Sequence, residues 1–259
     1  MTDDALVART DVGAVRVLTM NRPASRNALN RELIRSLYAA LKSADADESV
    51  RAVVLTGADP AFCAGVDLKE AARDGLKYFS EFKSNSCITA VAEMRTPTIG
   101  AINGATFTGG LELALGCDFL IASERAVFAD THARVGILPG GGMTARLPQV
   151  VGAAVARRMS MTGEVVDAAR AERIGLVTEV VPHARLVERA VELAAQIAEV
   201  PKPTMLGLKD IYVTGASAVI GPALAAERAI AGAQEHDLAG LGEQFAAVSQ
   251  RNKGQIERI

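Results

Sequence analysis

Short apolar runs alternate with helical stretches through the first half of this chain, and that alternation limits its fold more than any other feature. Ala14–Met20 (AVRVLTM) and Arg51–Thr56 (RAVVLT) read as buried strands, as do Thr98–Ile102 (TIGAI) and Phe119–Ala122. Between them, Arg31–Ser43, Lys77–Met94 and a short segment opening at Gly109–Gly110 carry helical spacing. Strands alternating with helices imply an α/β architecture with largely parallel pairing. The NRP at Asn21–Pro23 closes the first strand, and Asn30 stands where an N-cap would start the next helix.

From about Gly152 helical patterns dominate: Gly152–Met161, Asp167–Ile174, Ala184–Val200 and further segments to the end. One strand, Val177–Val181, interrupts them. The PKP at Pro201–Pro203 suggests a joint, dividing an α/β core (residues 1–200) from a helical region (residues 201–259). Segments such as Ala223–Ala233 (ALAAERAIAGA) are poor isolated helices and need a partner to pack on. The expectation is that this tail closes a homo-oligomer; packing on its own core is the alternative. No short repeat or low-complexity tract is present.

Composition excludes several classes. With 259 residues, 49% of them hydrophobic, the chain can bury a substantial core. Its net charge of −2 and lack of a basic block argue against a nucleic-acid partner, though a small phosphate-bearing ligand needs only a few local cations. The apolar runs are too short and too broken to span a bilayer, so no membrane role is expected. MTDDALVART carries no basic-then-apolar signal pattern, which makes cytoplasm the expected location. Cys63, Cys87 and Cys117 form no CxxC pair and have no histidine at a zinc-like interval; reduced, mostly buried thiols and no metal are expected.

The stretch NGATFTGGLELALGCD (103–118) sets an acidic residue, Glu112, among glycines and apolar side chains. Burying a carboxylate is costly unless its charge is stabilised or used. Gly109 and Gly110 open a helix, so their amides belong to the unpaired first turn and a ligand can approach them closely. Two readings stand on these residues alone. Glu112 is either a base beside an oxyanion site or a first-turn carboxylate capping its own helix. AFCAGVDL (61–68) repeats the pattern of strand, small-residue turn and helix start, with Asp67 as N-cap; its amides could supply a second oxyanion donor. The triplet Gly140–Gly142 lacks the GK[ST] of a phosphate-binding loop and reads as a helix start shaping a pocket. His183 and His236 are expected at the surface, and Asp118 in a structural role.

Four segments in order, NRPASRNALN (21–30), AFCAGVDL (61–68), INGATFTGGLELALGCD (102–118) and VGILPGGG (135–142), resemble the crotonase superfamily, also called the enoyl-CoA hydratase/isomerase family. MTGEVVDAARAERIGLVTEVV (161–181) is similar to the family's later pattern, so the likeness runs from about residue 5 to residue 255. The resemblance implies a spiral of strand–strand–helix (ββα) turns followed by helices that build a homotrimer or a dimer of trimers. It implies acyl-CoA thioester substrates, with coenzyme A as part of the substrate and no separate cofactor, in a β-oxidation type of metabolism. It assigns two oxyanion-binding backbone amides to Val66 and Gly109, and a catalytic acid/base to Glu112. Arg26 and Ala28 match the segment that meets the CoA phosphates and adenine. Ala64, Gly65, Asp67 and Leu68 match the adenine-side pocket, while Gly110 and Gly140 complete the implied binding set.

One departure bears on the chemistry. Hydratases of this type carry a second glutamate shortly before the VGILPG segment, where this chain has His132 in DTHARVG (130–136). Histidine can serve as acid or base, since its ordinary pKa is near 6.5. Asp130 can support it if the two share a face, which strand-like alternation would allow. The leading expectation is hydration of 2-enoyl-CoA thioesters with Glu112 and His132 as catalytic residues. An enoyl-CoA isomerase relying on Glu112, and a non-catalytic acyl-CoA-binding protein, are the alternatives.

Overall fold

The computed structural model describes residues 5–75, 78, 86–234 and 241–259. In chain order its strands are β1 (Val7–Val12), β2 (Val15–Met20), β3 (Ala52–Gly57), β4 (Ala61–Cys63), β5 (Thr98–Ile102), β6 (Ala105–Phe107), β7 (Phe119–Ser123), β8 (Val127–Ala129), β9 (Val166–Asp167) and β10 (Glu179–Val181). They form a larger sheet ordered β1-β2-β3-β5-β7-β10 and a smaller one ordered β4-β6-β8-β9. Pairing from β2 to β10 is parallel, as the alternation of elements predicts; β1 joins β2 antiparallel, and β9 joins β8 antiparallel.

From β2 to β7 the larger sheet is buried on both faces, which explains why those strands read as unbroken apolar runs. In β3, Val53 and Leu55 enter one core, while Ala52 and Val54 enter the other. Arg31–Ala46 packs on the first face. Asn30 caps it by accepting from the Leu33 amide at 2.9 Å, and Leu33, Ile34, Leu37 and Leu41 form its buried stripe. Each such side chain contributes about 1.5–3 kcal/mol on burial, enough to dock the helix. Leu186–Glu199 covers the second face through Leu186, Ala190 and Ala194, spaced one turn apart.

The sequence alone points to β2, β3, β5, β7 and β10. It does not reveal β1, an exposed edge strand of mixed polarity, or β4, β6, β8 and β9, which have two or three residues each and cannot display a period. These short strands produce the spiral. β3 passes directly into β4, β5 into β6 and β7 into β8, so each turn lays one strand in each sheet before the chain leaves for a helix.

Of the helix predicted over Lys77–Met94, the described part is Cys87–Ala92, capped by Ser86; residues 77 and 79–85 lie outside the described residues. The segment predicted at Ala223–Ala233 belongs to a longer helix, Lys202–Gly232, that opens at Pro201. A final helix, Leu241–Ile256, packs over Leu68–Asp74 and the 3-10 turn His132–Val135. Cys63 and Cys87 are buried free thiols, and burial pushes the Cys63 thiol up to about 12. His183 is half-buried near the surface and bonded there on both ring nitrogens. Its Nδ1 lies 2.9 Å from Ser123 Oγ and its Nε2 3.0 Å from Asp59 Oδ2, tying the end of β7 to the β3–β4 connection. His236 lies outside the described residues. Among the described residues no helix is long and apolar enough to cross a membrane.

Candidate active site

β4, β6 and β8 lie side by side and parallel, so the segments leaving their carboxyl ends emerge next to one another. Ala64–Val66 follows β4, Thr108–Glu112 follows β6 and Asp130–His132 follows β8. Residues far apart in the chain are thereby gathered at one edge, where open parallel sheets commonly bind ligands. The edge opens into a cleft of about 910 Å³ whose wall includes Val66, Gly109, Glu112 and His132.

Val66 and Gly109 are close neighbours. A Cβ built on Gly109 would lie 3.8 Å from the Val66 amide nitrogen, and one built on Gly65 would lie 3.4 Å from the Gly109 nitrogen. The approach depends on Gly65. At φ +93° its added Cβ would stand 2.1 Å from Thr108 Oγ1 and 2.8 Å from the Phe107 carbonyl, so only glycine fits. The chain kinks at Thr108, which holds φ +48°, a strained value for a residue with a side chain. Among the described residues neither amide donates to a backbone carbonyl; the adjacent bridge to Leu29 uses the Gly65 carbonyl and the Asp67 amide instead. Both residues line the cleft, and among the described residues neither amide has a backbone acceptor.

Glu112 occupies the first turn of Gly109–Ala114 and is 3% exposed. It does not cap its own helix. Its Oε1 accepts from the Gly141 amide at 2.8 Å and the Met143 amide at 3.2 Å, at the start of the helix Met143–Val151. A Cβ at Gly141 would stand 2.6 Å from Glu112 Oε2 and push that carboxylate from its place. Burial pushes the Glu112 carboxyl above the usual carboxylate range, and the Glu227 charge adds to the rise. His132 and the two amides pull the other way without cancelling it. Such a carboxylate is a better base than an exposed one.

His132 is 6% exposed, and its Nε2 lies 3.9 Å from Glu112 Oε2, beyond hydrogen-bonding range. Its Nδ1 meets Asp130 Oδ1 at 2.7 Å, and the same oxygen accepts the His132 amide at 3.2 Å. The expected strand-like alternation is therefore not what joins them. β8 ends at Ala129, and an aspartate-initiated turn folds residues 130 and 132 onto each other. Burial disfavours an imidazolium, but the Asp130 hydrogen bond and then the Glu112 charge outweigh it, raising the His132 pKa above its ordinary value. Burial likewise opposes an ionised Asp130, yet its bond to His132 holds that carboxyl below the usual range.

Eight of the residues singled out from sequence line the cleft: Arg26, Ala64, Val66, Leu68, Gly109, Glu112, His132 and Gly140. The other four support the wall from behind. Asp67 caps Leu68–Asp74 and pairs with Arg22 at 3.1 Å; Gly65 packs on Thr108; Gly110 packs against the Cys63 carbonyl. Ala28 accepts from the Arg22 guanidinium. Sequence reasoning missed Glu227, which holds the same turn as Glu112 and carries no local motif; it expected helices to the end of the chain but not that Phe245, Val248 and Asn252 of Leu241–Ile256 complete the wall.

A sequence model of the enoyl-CoA hydratase/isomerase family matches residues 10–239. The chain is 37% identical over 228 residues to a probable peroxisomal enoyl-CoA hydratase 1 of Arabidopsis thaliana, covering 88% of this chain and 86% of that one. It is 40% identical over 212 residues to a probable enoyl-CoA hydratase of Rhizobium meliloti, covering 81% of each. A solved enoyl-CoA hydratase from Mycobacterium smegmatis superposes with a TM-score of 0.79 at 48% identity, over 87% of this chain and 96% of that one.

Proposed function

Since this chain belongs to the enoyl-CoA hydratase/isomerase family, we propose that it is an enoyl-CoA hydratase in which an Asp130–His132 pair does the work of the second glutamate. The observation that carries this reading is the meeting of Glu112 and His132 on one cleft wall beside Val66 and Gly109, whose amides have no backbone acceptor among the described residues.

The thioester carbonyl oxygen accepts from both amides, which stabilise the negative charge it gains. Glu112 takes a proton from water as the water oxygen bonds to the β-carbon. The electron pair of the double bond moves to the α-carbon and carbonyl, forming an enolate. His132, as imidazolium, delivers its Nε2 proton to the α-carbon. One O–H bond breaks while one C–O and one C–H bond form, so the elements of water are added. Glu112 ends protonated and His132 neutral, and a proton passing from one to the other restores the starting state. A cationic histidine suits the acid role, because it already holds the proton to be delivered.

The CoA portion runs past Arg26 at the cleft mouth, along Ala64–Leu68, and no separate cofactor is required. The reaction belongs to fatty-acid β-oxidation, and the protein works in the cytoplasm. Residues 201–259 form the assembly region of a homotrimer or dimer of trimers. Exposed apolar side chains along Lys202–Gly232, among them Ile211, Tyr212 and Val219, support that assignment.

The test is turnover of crotonyl-CoA and of a 3-enoyl-CoA, with binding of each measured in parallel. Hydration of the first is the expected result. Double-bond migration in the second without hydration identifies an isomerase, and binding without turnover overturns the enzymatic reading.

A further inference from the structure

Helix Lys202–Gly232 has 31 residues and one buried side chain, and that side chain is a glutamate, Glu227. A helix whose one fully buried side chain is a carboxylate must use it, because desolvating the group is costly without good partners. Glu227 has three. Its Oε1 accepts from the Gly142 amide at 2.6 Å, while its Oε2 accepts from the Thr144 amide at 2.7 Å and Thr144 Oγ1 at 2.5 Å. The intervening amides, Gly141 and Met143, go to Glu112. Four successive N–H groups are thus shared alternately between two buried carboxylates.

This alternation depends on the shape of the turn. Gly142 sits at φ +111°, and the amides on either side of it go to a different carboxylate from its own. A relaxed turn could aim at neither acceptor with both pairs. Glu227 does not line the cleft, so it cannot touch the reacting atoms. We propose that Glu227 is a positioning residue for the reaction: from the long helix it locks the Gly141–Thr144 turn so that two amides stay aimed at Glu112, and it sets a second negative charge behind the Glu112–His132 pair. This rests on the hydratase reading.

The charge acts on both members of the pair, since Glu227 favours the protonated form of each. It does so among other groups. Glu112 also faces His132 and the Gly141 and Met143 amides, and His132 faces Asp130 and Glu112. The Arg146 guanidinium, bonded to the Gly141 carbonyl at 2.7 Å, lies within the field of Glu112, Glu227, Arg228 and Glu93.

Two variants separate the clamp from the charge. Glu227→Gln keeps the volume, removes the charge and turns an amide NH₂ toward a backbone donor. Glu227→Asp keeps the charge and shortens the reach. Both should lower kcat for crotonyl-CoA by about 10- to 100-fold, the worth of a charged hydrogen bond, with KM little changed. Only Glu227→Gln should also move the His132 titration, read by NMR of its imidazole nitrogens in the full-length protein, to lower pH. Thermal melting of each variant confirms that it is folded. If the wild type hydrates no enoyl-CoA, the hydratase reading fails, and the NMR arm decides the Glu227 assignment alone: a shift in Glu227→Gln sustains it, and none overturns it. With an active wild type, a Glu227→Gln variant of unchanged kcat and unchanged His132 titration overturns it. Should Glu227→Gln fail to fold, Glu227→Asp decides by the kcat–KM split, and wild-type kinetics there overturn the clamp.

Discussion

His132 Nδ1 lies 2.7 Å from Asp130 Oδ1, and both side chains are buried, with His132 on the cleft wall. The contact fixes the ring with Nε2 toward Glu112 and favours the imidazolium. Asp130→Asn leaves burial in place but removes the group that offsets it, so the His132 pKa should fall. Hydration at neutral pH should drop by about 10²-fold, and the alkaline limb of the rate profile should move to lower pH. An Asp130→Asn enzyme with the wild-type pH profile would show that the pair is structural only.

The wild-type profile follows from the directions of two shifts. Glu112 must be ionised to accept a proton, so kcat/KM should rise as pH climbs through its elevated pKa, above the ordinary value of about 4.3. His132 must be protonated to donate, so activity should fall as pH climbs through its own elevated pKa, above about 6.5. A bell is expected. His132→Ala should flatten its alkaline side, while His132→Glu should restore the two-carboxylate arrangement and raise crotonyl-CoA hydration. Undetectable hydration by His132→Glu would mean that this position does not limit the reaction.

Glu112→Gln keeps the shape of the side chain and can still accept from the Gly141 amide, but it cannot take a proton. Turnover should fall about 10²- to 10⁴-fold with acyl-CoA affinity almost unchanged, as steady-state kinetics and calorimetry would show. Full activity on every acyl-CoA tested would remove Glu112 from the mechanism.

Ile211 is 70% exposed and Tyr212 73% exposed on the long helix. If these side chains are covered by neighbouring subunits, the double substitution Ile211→Asp, Tyr212→Asp should lower the mass measured by light scattering from that of three or six chains toward one. A wild-type protein that is monomeric at working concentration would refute the assembly.

The legibility of this molecule varied with the length and setting of each element. β2, β3, β5 and β7 run through a sheet buried on both faces, so their apolar character is continuous and visible in the sequence. β4, β6 and β8 have three residues each and show no pattern, yet they decide where the site lies. Glu112 and the Gly109 turn were readable because a carboxylate amid glycines and apolar residues needs a reason. The resemblance carried Val66 and Arg26, which no local chemistry marks.

By itself the sequence determined the α/β class, the family and the candidate site residues, since all of these reside in local periodicity and in short motifs. The tertiary structure alone decided how those side chains are held. Asp130 supports His132 through a turn rather than along a strand, Glu112 is held by amides 29 and 31 residues further on, and Glu227 reaches the same turn from 83 and 85 residues away. Hydrogen bonds across such separations depend on how the spiral closes and leave no trace in local sequence, because the groups they join are backbone amides that every residue but proline possesses.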